Sequence, residues 1–207
     1  MRHLLLQAQA WWDAQRFDQS EWQVAEWRDQ KVRHIQLHVA KALGKVVAAL
    51  SAGEGAASGT DTIAQVRDEV LPDVAIYRSQ LINALPDWCA PTASLGLPHG
   101  RMHRTETLFH VVIALSRASA KLAAYIEPRE HGTAAPASLV CGAIQDLHDS
   151  AETLAAYFAV DLARAHQARL QALLGTPLPA SLIEGGGRRV VRARQIDAPM
   201  TNTGAAV

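Results

Sequence analysis

His34 and His38 stand one helical turn apart, a spacing that puts two imidazoles on one face and suits a pair of metal ligands. A third ligand would have to come from Glu69, Asp73 or His110. No H-E-x-x-H or CxxC pattern accompanies them, and a polar helix face or capped core histidines are the plainer reading. In Asp146-Leu147-His148-Asp149 two carboxylates share a helix face with an imidazole between them; the histidine either exchanges a proton there or is an exposed helix residue. Trp11, Trp12, Trp22 and Trp27 crowd the start of the chain. Such rings either stack on a nucleobase, with Trp22 and Trp27 the candidates, or fill a core or dimer contact. Gly185-Gly186-Gly187 is no phosphate loop, because no G-K-[ST] follows, and no G-x-S-x-G is present.

The elements that must position these residues are helices. Of 207 residues 38 are alanine, while Phe and Tyr supply three each, and nothing alternates with period two over a strand length. The spacing predicts helices over 4–17, 21–50, 62–85 (kinked or restarted at Pro72), 105–126 (stopped by Pro128) and 138–174 (closed by Gly175). The class is all-α. Five regions follow: a Trp-containing helix (1–19), a first helical hairpin (20–90), a Pro/Gly linker (91–102), a second hairpin (103–184) and a basic flexible tail (185–207).

Formal net charge is zero, but Arg188, Arg189, Arg192 and Arg194 against Asp197 give the tail +3 and leave −3 for the rest. A mildly acidic body is not the footprint of a nucleic-acid-binding domain. No run approaches 18 uninterrupted apolar residues, which argues against a membrane span, and the opening Met1-Arg2-His3-Leu4-Leu5-Leu6 is too short for a signal peptide. Cys89 and Cys141 make no disulfide framework. The expectation is a cytoplasmic protein with reduced thiols.

Sliding the chain by 76 residues lays helix on helix: Arg28 meets Arg104, His34 meets His110, Lys45 meets Lys121 and Asp73 meets Asp149. Two hairpins of similar design would close one four-helix core as a pseudo-dimeric monomer, or the chain would pair as a homo-oligomer.

Glu26-Trp27-Arg28 followed by His34-Ile35-Gln36-Leu37-His38-Val39-Ala40-Lys41-Ala42-Leu43-Gly44-Lys45-Val46 resembles the first core helix of the MazG-like, all-α nucleoside-triphosphate pyrophosphohydrolases. Asp68-Glu69-Val70-Leu71-Pro72-Asp73-Val74-Ala75-Ile76-Tyr77 is similar to their second core helix, and Asp161-Leu162-Ala163-Arg164-Ala165 through Arg169-Leu170 to the segment after it. The resemblance covers roughly 20–88, with a weaker echo over 103–174. It implies Mg²⁺ held by acids at i and i+3 on two helices, and hydrolysis of a nucleoside triphosphate to monophosphate and pyrophosphate.

The chain departs from that pattern. The first-helix acids fall on Ala42 and Lys45, and in the second half on Ala118 and Lys121. Glu69, Asp73, Asp146 and Asp149 remain as the metal ligands the resemblance implies. Lys41 and Lys45 are spaced to face Glu69 and Asp73, and Lys121, with Arg117, to face Asp146 and Asp149. A fixed ammonium takes the electrostatic place of a metal but cannot activate water. The expectation is a MazG-like fold with weakened or lost hydrolysis; the alternative is a non-catalytic helical binding or assembly protein.

Overall fold

The computed structural model describes residues 2–16, 25–52, 57–85, 103–175 and 177–179. Every regular element among them is helical: α1 (Arg2–Arg16), α2 (Ala25–Ser51), α3 (Ala57–Gln65), α4 (Leu71–Ala84), α5 (Arg104–Glu130), α6 (Ser138–Phe158) and α7 (Leu162–Leu174). Trp22, the expected linker and the basic tail lie outside the described residues.

The main core is a four-helix arrangement in which α2 and α6 each pack against both α4 and α5. On α2 a buried apolar stripe runs through Val32, Ile35, Val39, Ala42, Val46 and Ala49; on α5 one runs through Leu108, Val111, Leu115, Ala118, Leu122 and Tyr125, with Ile126 buried beside its end. Both sets step alternately by three and four, the seam that keeps one helix stripe against its neighbours. The α2–α5 pair is pinned at one end by Asp29, which accepts from Arg129 Nε at 2.6 Å and Tyr125 Oη at 3.2 Å. Burial and the nearby Asp29 charge push the Tyr125 hydroxyl up to about 12. α5 is long and apolar enough to cross a membrane by length and composition alone. Its buried stripe nevertheless belongs to the protein core, and Lys121 on it is ion-paired to α6.

Three expected elements differ. The 62–85 helix starts earlier, at Ala57, and is interrupted by a π turn over Val66–Val70, closed by Leu71 N–H donating to Val66 O. Pro72 follows at once in the first turn of α4. Proline has no N–H to give and clashes with the carbonyl four residues back, so a locally widened turn accommodates it without ending the helix. The single helix expected over 138–174 is instead broken: Ala159 adopts φ 52°, and Asp161 caps α7 by accepting from the N–H groups of Ala163 (2.9 Å) and Arg164 (3.1 Å). Pro128 sits inside the last turn of α5 rather than stopping it. Gly175, at φ 69°, closes α7.

The break lets α7 fold back against α4 and α1, where Ala8, Trp12, Ile76, Leu170 and Leu178 form a second, smaller core. Cys141 on α6 is disulfide-bonded, correcting the expected reduced thiol; the only other cysteine, Cys89, lies outside the described residues.

Candidate functional site

A cleft of about 430 Å³ opens where α2, the π turn, α4, α7 and α1 meet. Lys45 on α2 donates to Glu69 Oε2 across the helix pair, while His38 lies 3.3 Å from Tyr77 Oη further along, so α2 and α4 run antiparallel. The Lys45 ammonium holds the Glu69 carboxyl below its ordinary range. Asp73, one turn beyond, is gripped in a fork by Arg169 of α7, at 2.7 Å from Nε and 3.2 Å from Nη2. That carboxylate in turn holds the Arg169 guanidinium charged.

The His34 and His38 rings sit 4.4 Å apart, tilted at 59°. Partial burial lowers both from the ordinary imidazole value, aided by mutual proximity for His34 and by the Lys41 charge for His38. Burial and the Asp73 charge push the Tyr77 hydroxyl up, so it stays protonated. It donates to Nδ1 of His38 when that nitrogen carries no proton and accepts from it when it does. Lys41 lines the same cleft, is exposed, and has no ion pair among the described residues.

Beneath the cleft lies a buried polar network tying α1 to its neighbours. Asp13 Oδ1 accepts from Gln80 Nε2 at 2.9 Å and Gln9 Nε2 at 3.1 Å, with Lys31 Nζ at 3.7 Å. Its Oδ2 is buried with no hydrogen-bond partner among the described residues. Desolvation raises the Asp13 carboxyl and lowers the Lys31 ammonium, each opposed by the other's charge. Since Gln9 turns its amide nitrogen to Asp13, its oxygen faces His166, whose Nε2 must donate across 3.1 Å. Burial, with Arg78 nearby, drops His166 to about 4.

In the second half Asp146 is engaged twice, by Lys121 Nζ at 2.5 Å and Arg117 Nη2 at 2.7 Å. Lys121 also donates to Gly142 O at 3.3 Å, and a Cβ on Gly142 would come within 3.2 Å of the lysine. Asp149 accepts from Gln145 at 2.8 Å. His148, read from sequence as exposed, is instead buried, its Nδ1 at 3.8 Å from Glu152.

Of the carboxylates that the resemblance gives to Mg²⁺, Glu69 and Asp73 therefore line the cleft, while Asp146 and Asp149 do not. Among the described residues no three His, Cys, Asp or Glu side chains cluster as a metal would need. Three of the four carboxylates are already neutralised by fixed cations, so this donor set does not fit a hard dication that wants several free oxygens. His110 is exposed on α5 and does not line the cleft with His34 and His38. Trp27 packs against the main core, so the aromatic wall of the cleft comes from Trp12 and Tyr77 instead. Sequence reasoning also missed Arg169 and Gln80. The alternation of small and polar residues along α7 carries no mark of which helix Arg169 will meet, since Asp73 is 96 residues away. No family model, curated protein or solved structure matches this chain.

Proposed function

We propose that this chain is a MazG-like fold built as two related hairpins, in which side-chain cations stand where the family holds Mg²⁺ and metal-dependent hydrolysis of nucleoside triphosphates is lost. The observation that carries this is the pairing of Lys45 with Glu69 and of Lys121 with Asp146, at matching places in the two halves. An ammonium there relieves carboxylate repulsion but provides no polarised water.

The relation between the halves is supported by burial. Each of the six core residues of α2 named above has a buried counterpart 76 residues later on α5. On the partner helices Leu71 and Ala75 correspond to Leu147 and Ala151 at the same offset, whereas Val66 corresponds to Ala143 at 77. One extra residue is what a π turn holds. That insertion brings Glu69, rather than Val70, to the place that Asp146 takes in α6.

The test is pyrophosphate release from a panel of nucleoside triphosphates with Mg²⁺, alongside thermal melts. No release, and no rise in melting temperature with millimolar Mg²⁺, is expected. Strong stabilisation by Mg²⁺ together with triphosphate cleavage overturns the proposal.

A second reading, assembly through protein contacts, is favoured by exposed Leu37 and Val47 on α2 and exposed Phe109 and Ile113 on α5. Adjacent helices presenting large apolar side chains to solvent mark an interaction surface. Sedimentation of the parent against Leu37→Glu/Ile113→Glu separates a homo-oligomer from a monomer.

A further inference from the structure

We infer that the first-half cleft is a metal-free binding site for a phosphomonoester, a compact dianion carrying a ring-sized organic group. The inference rests on the reading above that fixed cations replace the metal, and it names the ligand those cations would take.

The cleft lining mixes charge with apolar surface. Lys41, Lys45, Arg169 and the two histidines stand with Trp12, Ile76 and Leu173 around one opening. A volume of about 430 Å³ suits a small molecule with one phosphate and one ring rather than a polymer.

The cations are engaged but not exhausted. Lys45 has three N–H donors and gives one to Glu69, while Arg169 has five and gives two to Asp73. Lys41 is exposed and unpaired among the described residues, so its desolvation breaks no existing pair.

Charge balance then selects the ligand. The cations Lys41, Lys45 and Arg169 set against Glu69 and Asp73 leave a formal excess of one positive charge. A phosphomonoester brings about two negative charges at neutral pH. The remaining positive charge comes from the histidines. His38 faces His34, Lys31 and Lys41 on its own helix, and Asp73 and Tyr77 on α4, with Lys45, Glu69 and Arg169 lining the same cleft. A phosphate placed among these groups replaces like-charge repulsion by attraction and draws a proton onto the imidazole, whose Nδ1–H the Tyr77 oxygen is placed to accept. A triphosphate without metal would leave about two further negative charges uncompensated, so the cleft prefers one phosphate to three.

Calorimetric titration of the full chain with phenyl phosphate in EDTA tests this, run at neutral pH in two buffers of different ionisation enthalpy. Expected are binding without metal, uptake of about one proton per site, and tighter binding of phenyl phosphate than of ATP in EDTA. Lys41→Ala should weaken binding about tenfold, while Arg33→Ala, on an exposed pair with Glu130 outside the cleft, should leave it unchanged. Both substitutions are at exposed sites, and matching melts confirm that each variant folds. No binding of phenyl phosphate, or equal binding by Lys41→Ala and parent, overturns the inference and leaves the loss of metal hydrolysis standing. Binding that appears only when Mg²⁺ is added overturns both.

Discussion

Glu69 and Asp146 occupy comparable places against Lys45 and Lys121, yet the Glu69 side chain is 39 % exposed and the Asp146 side chain 2 %. The first pair opens onto a cleft flanked by α1 and α7; the second is folded into the body of the bundle, with Arg117 added over it. The same ion pair thus serves two ends. Buried, it is a structural commitment, because a lone carboxylate in that position would be unpaired in a low dielectric. Exposed, it contributes little to stability, and its cation keeps donors free for a ligand.

The largest expected effect that separates the halves is on Lys121→Ala. Removing that ammonium leaves Asp146 short of a partner and should cost about 3 kcal/mol in urea denaturation, and Lys45→Ala less than about 1 kcal/mol. Equal losses would erase the distinction.

Next comes the acid response on the cleft side, where α1 and α7 meet. His166 drops from 6.5 to about 4 on folding, so the unfolded chain takes up a proton that the folded one refuses. Its contribution is unaffected above about pH 6.5, is lost as pH falls from there, and levels off below about 4, up to about 3 kcal/mol in all. His166→Gln can still donate to Gln9 and should remove this slope. Parent and variant melts that stay parallel from pH 7 to 4 would place the acid sensitivity elsewhere.

A smaller effect belongs to the second half. Gly142→Ala brings a Cβ to 3.2 Å from Lys121, which must give by a few tenths of an ångström, against a helix gain of about 1 kcal/mol for Ala over Gly. The gain should be reduced in the parent and appear in full in a Lys121→Ala background. The same change in both backgrounds would mean that the lysine does not restrict this position.

The core was legible because burial obeys a spacing the sequence displays: the threes and fours of Val32 to Ala49 and of Leu108 to Tyr125 need no tertiary knowledge. Lys45 with Glu69 was legible for the same reason, since both lie on neighbouring helices of one hairpin. The break at Ala159 was not. The run Ala-Ala-Tyr-Phe-Ala-Val continues an apolar pattern without Gly or Pro, and only Asp161, a good N-cap, hints at a new start. The cleft's other residues depend on that break. Arg169 and Trp12 reach it from helices at opposite ends of the described chain, and such partners are fixed by packing rather than by local pattern.

The return of α7 also sets an order of assembly. Gln9 and His166, which tie α1 to α7, are 157 residues apart, and Asp73 waits 96 residues for Arg169. As the chain leaves the ribosome, α2, α4, α5 and α6 can close their shared core before α7 has emerged. α1 can meet α4 before then, through Asp13 and Gln80, but its contacts with α7 must wait. A nascent chain stalled after α6 should therefore resist protease across the bundle while α1 stays less protected than in the full chain, and the cleft should be complete only once α7 has emerged.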